Sequence, residues 1–578
     1  MSISDLLNVS KLGIFANQGA MQAVSHNIAN VNTPGYSRQT VSLQSEPGWG
    51  EWRIGSGVQV QEAKRQLDNL LDRRLAMGNG EMGRLQARER FLTIVENVFN
   101  EMDGDGFSER LDSLYSAADL LTDNPTNPVG RADLVSRAEG LAGFVNKMQE
   151  SLRDRAMPVD KEIDVVMADI NGRLQNIRKL NGQIGRTEAT RPALDLKDHL
   201  RNEITALGEM VDIQTLDMQD GSVQVMTAKG QELLADTVYA ATFTRSAQQT
   251  ASGYPGISLN GRDFTSMIGG QIRGLMEVRD EVIHGPDGLL TRFKTITDEL
   301  RWQLNRVNSQ SVSQALFTGQ TGAFTLGGDL TTATNVLETD ATSDDYVGSP
   351  PDLGRVTAGS VTFAYGADGD HLTTDTVAID PGASIEAIRA ALDASPAIKA
   401  EIVGNRLKLS AQSGVYGVVS DTSGVLAALG VGALFSSVGA RSFEVSDELV
   451  EDPDKLGVGR LEVDADGTVT FNDADNRGAI ALGELRTSKY ELFDDNLTLT
   501  AHYASMVGIL GSTIQRNDEA LKAQGSTQDF LKNLRDSYSG VSLEEELTDL
   551  IRYQRAFQAS SKMVTAADEL LKSIVSMV

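Results

Sequence analysis

Residues 541–578 read VSLEEELTDLIRYQRAFQASSKMVTAADELLKSIVSMV. Leu543, Leu550, Phe557, Val564, Leu571 and Val578 recur at every seventh position, and Leu547, Ile551, Ile574 and Val575 widen the stripe. The segment therefore predicts one long helix with a single apolar seam. Ser542 and Glu545 have the spacing of a capping box, the acidic run from Glu544 to Glu546 suits the positive start of a helix, and Lys562 and Lys572 suit its negative end. At 1.5 Å per residue such a helix extends on the order of 54 Å, further than most globular cores reach, so it needs a partner along its length. The other end of the chain supplies one. Leu7, Ile14, Met21 and Ile28 also fall seven apart, with Ile3 and Val24 beside them, and the simplest closure pairs the two terminal helices as a coiled coil. A heptad stripe is more often a helix docked on its own domain, but two seams at opposite termini point to assembly between subunits. Ser10, Gly13, Ala20, Ser560, Ser561 and Ala567 keep the seams thin enough for further helices to approach.

The first helix is expected to stop near Asn30. Thr33-Pro34-Gly35-Tyr36 has the residues of a tight turn, and the amides of Asn27, Asn30 and Asn32 can cap the freed backbone. Val41 with Leu43, and Val58 with Val60, alternate as two short strands around a loop carrying Trp49 and Trp52, for which a subunit contact and a local aromatic cluster are both open. From about residue 81 to 210 the pattern is helical, broken at Gly104 and Gly106, and again at Asn124-Pro125 and Asn127-Pro128. Leu111, Leu114, Tyr115, Ala118 and Leu121 trace one apolar face, and Ile163, Val166, Ile170, Leu174, Ile177 and Ile184 another. A small β unit occupies about 211–265, and a helical segment starts at Gly274 and runs through Leu300, Trp302, Leu304 and Val307.

Gly, Thr, Asp and Ala dominate from about 319 to 438, as in a sequence-tolerant surface insertion; within it Thr376 to Ile379 reads as a strand and Ser384 as a helix cap. The last helical region begins near Leu497 and breaks near Gly540. The predicted class is α+β and multidomain, with discontinuous domains. Residues 1–75 with 500–578 form a terminal coiled-coil assembly domain, 76–318 with 440–499 a helical bundle plus small β unit, and 319–439 a β-rich surface insertion.

With 52 basic and 80 acidic residues the chain carries a net charge of −28, which repels nucleic acid and anionic lipid. The absence of cysteine removes disulfides, thiolate metal sites and cysteine nucleophiles. Residues 1–30 hold one Lys, Lys11, and no continuous apolar core of a signal peptide, and no run near 20 apolar residues is available to span a membrane. The five histidines are far apart, and no phosphate loop, nucleophile elbow or zinc-protease motif occurs. Asp103-Gly104-Asp105-Gly106 and Asp464-Ala465-Asp466-Gly467 invite a calcium reading, yet both lack the closing Glu, and turns are the simpler account. No catalytic residue, cofactor or metal site is expected.

His26-Asn27-Ile28-Ala29-Asn30-Val31-Asn32-Thr33-Pro34-Gly35-Tyr36-Ser37-Arg38 resembles the N-terminal signature of the flagellar rod, hook and hook-associated axial proteins, and Gly57-Val58 with Arg65 and Asp68 fits the same pattern. The closing segment from Ser539 through Glu546, Gln554, Gln558 and Ala566-Ala567-Asp568 is similar to that of the hook-associated members. The extended helical block also favours these over the hook protein. Where the family shows a His and a Gly-rich stretch after Asn308, this chain has Ser309-Gln310-Ser311. The resemblance implies a non-enzymatic, extracellular structural subunit at the hook-filament junction, exported through the flagellar type III system without a cleaved signal. Its implied partners are copies of itself in a helical ring, the hook protein, a second junction protein (hook-associated protein 3) and an export chaperone on the C-terminal helix. The alternatives are a hook or distal-rod subunit, or an enzyme or adhesin carried in the insertion.

Overall fold

A computed structural model describes residues 3–33, 35–46, 57–99, 106–190, 192–235, 239–326, 330–331, 353–436, 443–464 and 468–577. The chain opens on α1 (Ile3–Ala29) and an antiparallel ribbon of β1 (Gln39–Glu46) and β2 (Gly57–Arg65). A helical body follows, made of α2 (Asn69–Glu96), α3 (Phe107–Asp123), α4 (Pro128–Glu188) and α5 (Leu194–Met210). Two small antiparallel sheets come next: β3 (Ile213–Asp217), β4 (Val223–Thr227) and β5 (Glu232–Leu234), then β6 (Phe243–Gln249), β7 (Pro255–Leu259) and β8 (Arg262–Asp263). α6 (Gly270–Met276), a π-helical turn over Glu277–Ile283, and α7 (Leu289–Ser309) lead into the insertion.

The insertion contains β9 (Gly319–Thr321), β10 (Gly359–Gly366), β11 (Thr373–Ile379), α8 (Ile385–Asp393), β12 (Ile398–Val403), β13 (Arg406–Ala411), β14 (Val415–Asp421) and α9 (Val425–Ala428). Its strands form two sheets, ordered β11-β10-β14 and β12-β13-β9. β15 (Phe435–Ser436), β16 (Glu444–Val445), α10 (Asp447–Glu451) and α11 (Arg477–Glu484) return the chain to the body, which ends in α12 (Leu499–Ser539) and α13 (Leu543–Met577). This is the α+β multidomain architecture expected above. Trp49, Trp52, Pro34, Asp103, Asp105, Asp466 and Val578 lie outside the described residues.

Local chemistry accounts for the helix boundaries. Asn127 accepts the backbone N–H of Val129, and Pro128 takes the first position of α4, where a missing N–H costs nothing. α4 then runs 61 residues and carries Pro158 in its interior. The apolar faces read on α3 and α4 are buried in one core that also takes in the sheets, α6, α7, α11 and the first half of α12. The helical segment expected from Gly274 through Val307 is interrupted in the structure: the chain leaves helix after Ile283 and re-enters it at Leu289, around Pro286, which has no N–H to donate and disfavours helical geometry in the residue before it. A second core fills the insertion and receives Trp302 from α7.

One device recurs where the long helices meet a strand end. An asparagine on the helix uses both halves of its amide on a single residue's backbone, donating to its C=O and accepting from its N–H. Asn146 does this to Phe443, Asn171 to Phe243, Asn181 to Val223 and Asn305 to Phe435, at 2.8–3.1 Å. The amide stands in for the neighbouring strand that each of these edge residues lacks. Asn181→Leu, close in size, leaves the buried N–H and C=O of Val223 without partners. We expect a loss of about 2 kcal/mol in denaturant unfolding.

α12 descends antiparallel to α2 and is held there by amides as much as by apolar packing. Asn517 donates to Leu85 O (3.1 Å), Gln524 to Gly78 O (3.0 Å) and Gln528 to Leu75 O (3.3 Å). α2 passes its other neighbours at backbone distance: a Cβ on Gly83 would lie 2.0 Å from Glu209 O, and one on Gly274 2.3 Å from Arg84 O. Side chains at these positions would force the helices apart.

Where α2 meets α6, Glu277 opens the π turn and collects three guanidinium groups: Arg84 at 2.7 Å, Arg88 at 2.6 Å and Arg273 at 2.9 Å. Two residues on, the fully buried Arg279 pairs with Asp160 of α4 and with Asp280 at 2.8 Å, and stacks on Tyr254. Charge pairs to α2 and α4 thus add to the burial of Val278 and Ile283 in holding this turn.

Candidate assembly surface

α1 and α13 lie side by side, antiparallel. Asn27, near the end of α1, meets Glu546 in the first turn of α13, and fourteen residues back Gly13 meets Ser560, fourteen residues on. The line of closest packing is the small-residue stripe. On α1 the buried residues are Ser10, Gly13, Ala16, Ala20, Val24 and Asn27, and on α13 they are Glu546 and Ala567. A Cβ on Gly13 would come within 2.9 Å of Ser560 Oγ. The small residues expected to admit helices from outside thus serve the chain's own pair, because two helices approach closely only where neither has bulk.

The apolar heptads flank that line. Leu7, Ile14, Met21 and Ile28, with Leu550, Phe557 and Val564, are half-buried, whereas Leu543 and Leu571 are exposed. Leu547, Ile551, Leu570, Ile574 and Val575 are also exposed, at 50–74%. Projected at 3.6 residues per turn, Leu543, Leu547 and Ile551 fall on one side of the α1-facing stripe and Met563, Leu570 and Ile574 on the other. One α1 helix covers too narrow an arc to bury both sides.

The turn motif is a joint between the termini. Asn27 repeats the amide device on β1, accepting from Gln39 N and donating to Gln39 O, both at 2.9 Å. The same amide also donates to Glu546 Oε2 at 2.9 Å and accepts from Tyr36 Oη at 2.8 Å. Tyr36 Oη in turn shares a hydrogen bond with His26 Nδ1 (2.9 Å). Asn30 Nδ2 caps His26 O (3.0 Å) and its Oδ1 accepts from Thr33 Oγ1 (3.2 Å); Asn32 is exposed. Gly35 takes φ +76°, and a Cβ there would sit 2.0 Å from Asn202 Oδ1, so both conformation and space require glycine.

Arg38 completes the joint, with Nε on Glu546 at 2.7 Å and Nη1 on Glu545 at 3.0 Å. Glu545, read as half of a capping box, spends its carboxylate there. The backbone N–H of Arg38 also donates to Ser539 O, which ties the end of α12 to the same point.

α5 anchors this joint to the helical body. Arg201 reaches Ser37 Oγ (2.7 Å) and Asp72 of α2 (3.3 Å), and Asp198 holds Arg65 of β2 (2.8 Å). Burial, reinforced by Asp195, Asp198 and Glu546, pushes the Tyr36 phenol well above its ordinary value, so it stays a hydrogen-bond donor. The seam pattern pointed to none of Asp195, Asp198, Arg201 and Asn202, since charged residues on a helix usually mark its solvated side. Among the described residues no group of three or more His, Asp or Glu is placed to hold a metal ion, and no helix is long and apolar enough to cross a membrane.

Comparison with known proteins gives matches to two family models, to several relatives and to a solved structure. A family model for the helical domain of flagellar hook-associated protein FlgK matches residues 92–323, and one for the C-terminal part of flagellar basal body rod FlgEFG proteins matches 535–577. Flagellar hook-associated protein 1 of Escherichia coli K12 is 24% identical, covering 99% of this chain and 100% of its own length. Its Bacillus subtilis counterpart is 23% identical over 99% and 97% of the respective chains. The solved flagellar hook junction protein FlgK from Burkholderia pseudomallei covers 81% of this chain and 100% of its own, with 15% identity and a TM-score of 0.49.

Proposed function

We infer that this chain, which belongs to the flagellar hook-associated proteins, is a structural subunit of the bacterial flagellum at the hook-filament junction. Similarity to hook-associated protein 1 along the full chain supports that reading. The observation that carries the mechanism is the half-covered C-terminal helix: α13 spends one side on α1 and leaves apolar residues bare on both flanks. Such flanks are suited to contacts made by apolar packing.

In this reading, terminal helix pairs of successive subunits pack into a helical array, with the β-rich insertion facing outward. Leu7, Ile14, Met21 and Ile28 act with Leu543, Leu550, Phe557, Val564, Leu571 and Val578 as the assembly seam, and Asn27, Asn30, Asn32, Thr33, Pro34, Gly35 and Tyr36 as its joint. The hook protein lies below and a second junction protein above. The chain leaves through the flagellar type III channel without a cleaved signal, and a chaperone covers the C-terminal helix until assembly. The relatives bear structural names, and the reading assigns this chain no reaction.

The test is a strain lacking the chain. It is expected to build hooks and shed filament subunits into the medium, and the intact chain is expected to label the distal end of isolated hooks. Filaments retained by a chain lacking residues 541–578 would overturn the reading.

A further inference from the structure

Two exposed stripes, on different helices, stand around the joint. On α2, Leu70, Arg73, Arg74 and Met77 occupy one face at i, i+3, i+4 and i+7, all exposed, with Leu70 at 62% and Met77 at 58%. The opposite side of α2, Leu71, Leu75 and Asn79, is buried, so this face is outward. Neither Arg73 nor Arg74 has a carboxylate partner among the described residues. On α13, Leu543, Leu547 and Ile551 form the second stripe at i, i+4 and i+8. It is bordered by the exposed, unpaired Glu544. One stripe is apolar and basic, the other apolar and acidic.

We propose that these stripes are the two halves of one contact between copies of this chain: Leu70, Arg73, Arg74 and Met77 of one copy take Leu543, Glu544, Leu547 and Ile551 of the next. The inference rests on the assembly reading above and names its surfaces. Three features carry it. In a chain of net charge −28, copies repel one another, and an unpaired arginine pair on apolar ground is a site where an acidic apolar helix is attracted. The stripes also match in length, about two turns each. Finally, they share a level along the subunit. Asp72, between Leu70 and Arg73, meets Arg201, which also holds Ser37, while the next residue, Arg38, holds Glu545. Copies placed side by side therefore bring α2 of one against the start of α13 of the next. Because the halves differ, the contact is head to tail and repeats around a ring or helix instead of closing a pair.

The cysteine-free chain allows a direct test. Two full-length variants, Met77→Cys and Leu547→Cys, are co-expressed in the flagellated strain and oxidised on isolated hooks. The expected result is a disulfide-linked dimer containing one chain of each kind, absent when either variant is expressed alone. Hooks on which both variants label the junction but give no such dimer overturn the pairing and leave the assembly reading intact. A dimer from one variant alone indicates a self-complementary contact and also overturns it. Variants absent from the junction, while the unsubstituted chain labels it, overturn the claim that these positions tolerate a cysteine within a packed contact; the charge pair then decides. Arg73→Glu with Arg74→Glu is expected to lower junction labelling at least tenfold, and adding Glu544→Arg to recover most of it. Unchanged labelling with both arginines reversed refutes the pairing.

Discussion

Asn27→Asp is expected to release the terminal helices from each other while leaving the helical body folded. The substitution keeps the shape of the side chain and removes its donors to Gln39 O and Glu546 Oε2. It also sets a second carboxylate against that of Glu546, which is 1% exposed. Glu546 keeps its ion pair with Arg38, but one of its oxygens now faces a carboxylate in a buried setting and Gln39 O loses its donor, at a cost of about 3 kcal/mol. Small residues form the rest of the closely packed line between α1 and α13, so little apolar area is available to offset that cost. Native-state hydrogen exchange should show amides of both terminal helices opening at least on the order of 100-fold more often, with protection in α4 and α7 unchanged. Equal protection in the variant and the parent would mean that the joint contributes nothing to holding the termini together.

Glu277→Gln is the second large effect, and it falls in the helical body. Burial opposes ionisation of Glu277, but Arg84 and Arg88, with Arg273, overcome it and hold the carboxyl below its usual range. Neutralising it leaves three guanidinium groups converging on an amide. Arg84 and Arg273 keep second carboxylates in Glu81 and Glu281, so the expected cost is about 3 kcal/mol, at the lower end for a broken buried pair. For a body of this size that is roughly a 6–12 °C fall in Tm by calorimetry.

The sign of the pH dependence follows. A carboxyl whose folded pKa is depressed contributes stability that is fully present above its unfolded value, near ~4.3, and is lost as pH falls through the folded value. The gap between parent and Glu277→Gln should therefore be constant at neutral pH and narrow only on acidification below about pH 4. A gap that persisted unchanged into strong acid would rule out the ion pairs as its source.

Periodicity exposed the long helices and several of their breaks, though not those between α4 and α5 or before α7, because those features depend on near neighbours. The faces of α3 and α4, the cap at Ser384 and the break at Gly540 are written in spacings of three, four and seven, and in where Gly, Pro and Asn fall. The turn signature likewise located the joint. Its residues looked like local caps, however, since nothing in the order of residues says that Asn27 will meet a glutamate 519 positions away. The π turn was invisible for a related reason. Glu277 and Arg279 satisfy charges on α2 and α4, and a helical pattern continues through them unchanged.

From residue order alone came the class of fold, the seams at both ends and the flagellar resemblance, all of which rest on local spacing and residue type. Which side of each seam turns inward came only with the folded chain. Small side chains let α1 and α13 approach most closely along the Ser10, Gly13 and Ala20 line, so bulkier leucines and isoleucines beside it were left for other surfaces. The amides of Asn27, Asn181 and Asn305 were in the same position: polar letters inside helical runs, given their roles by whichever strand edge the fold delivered to them.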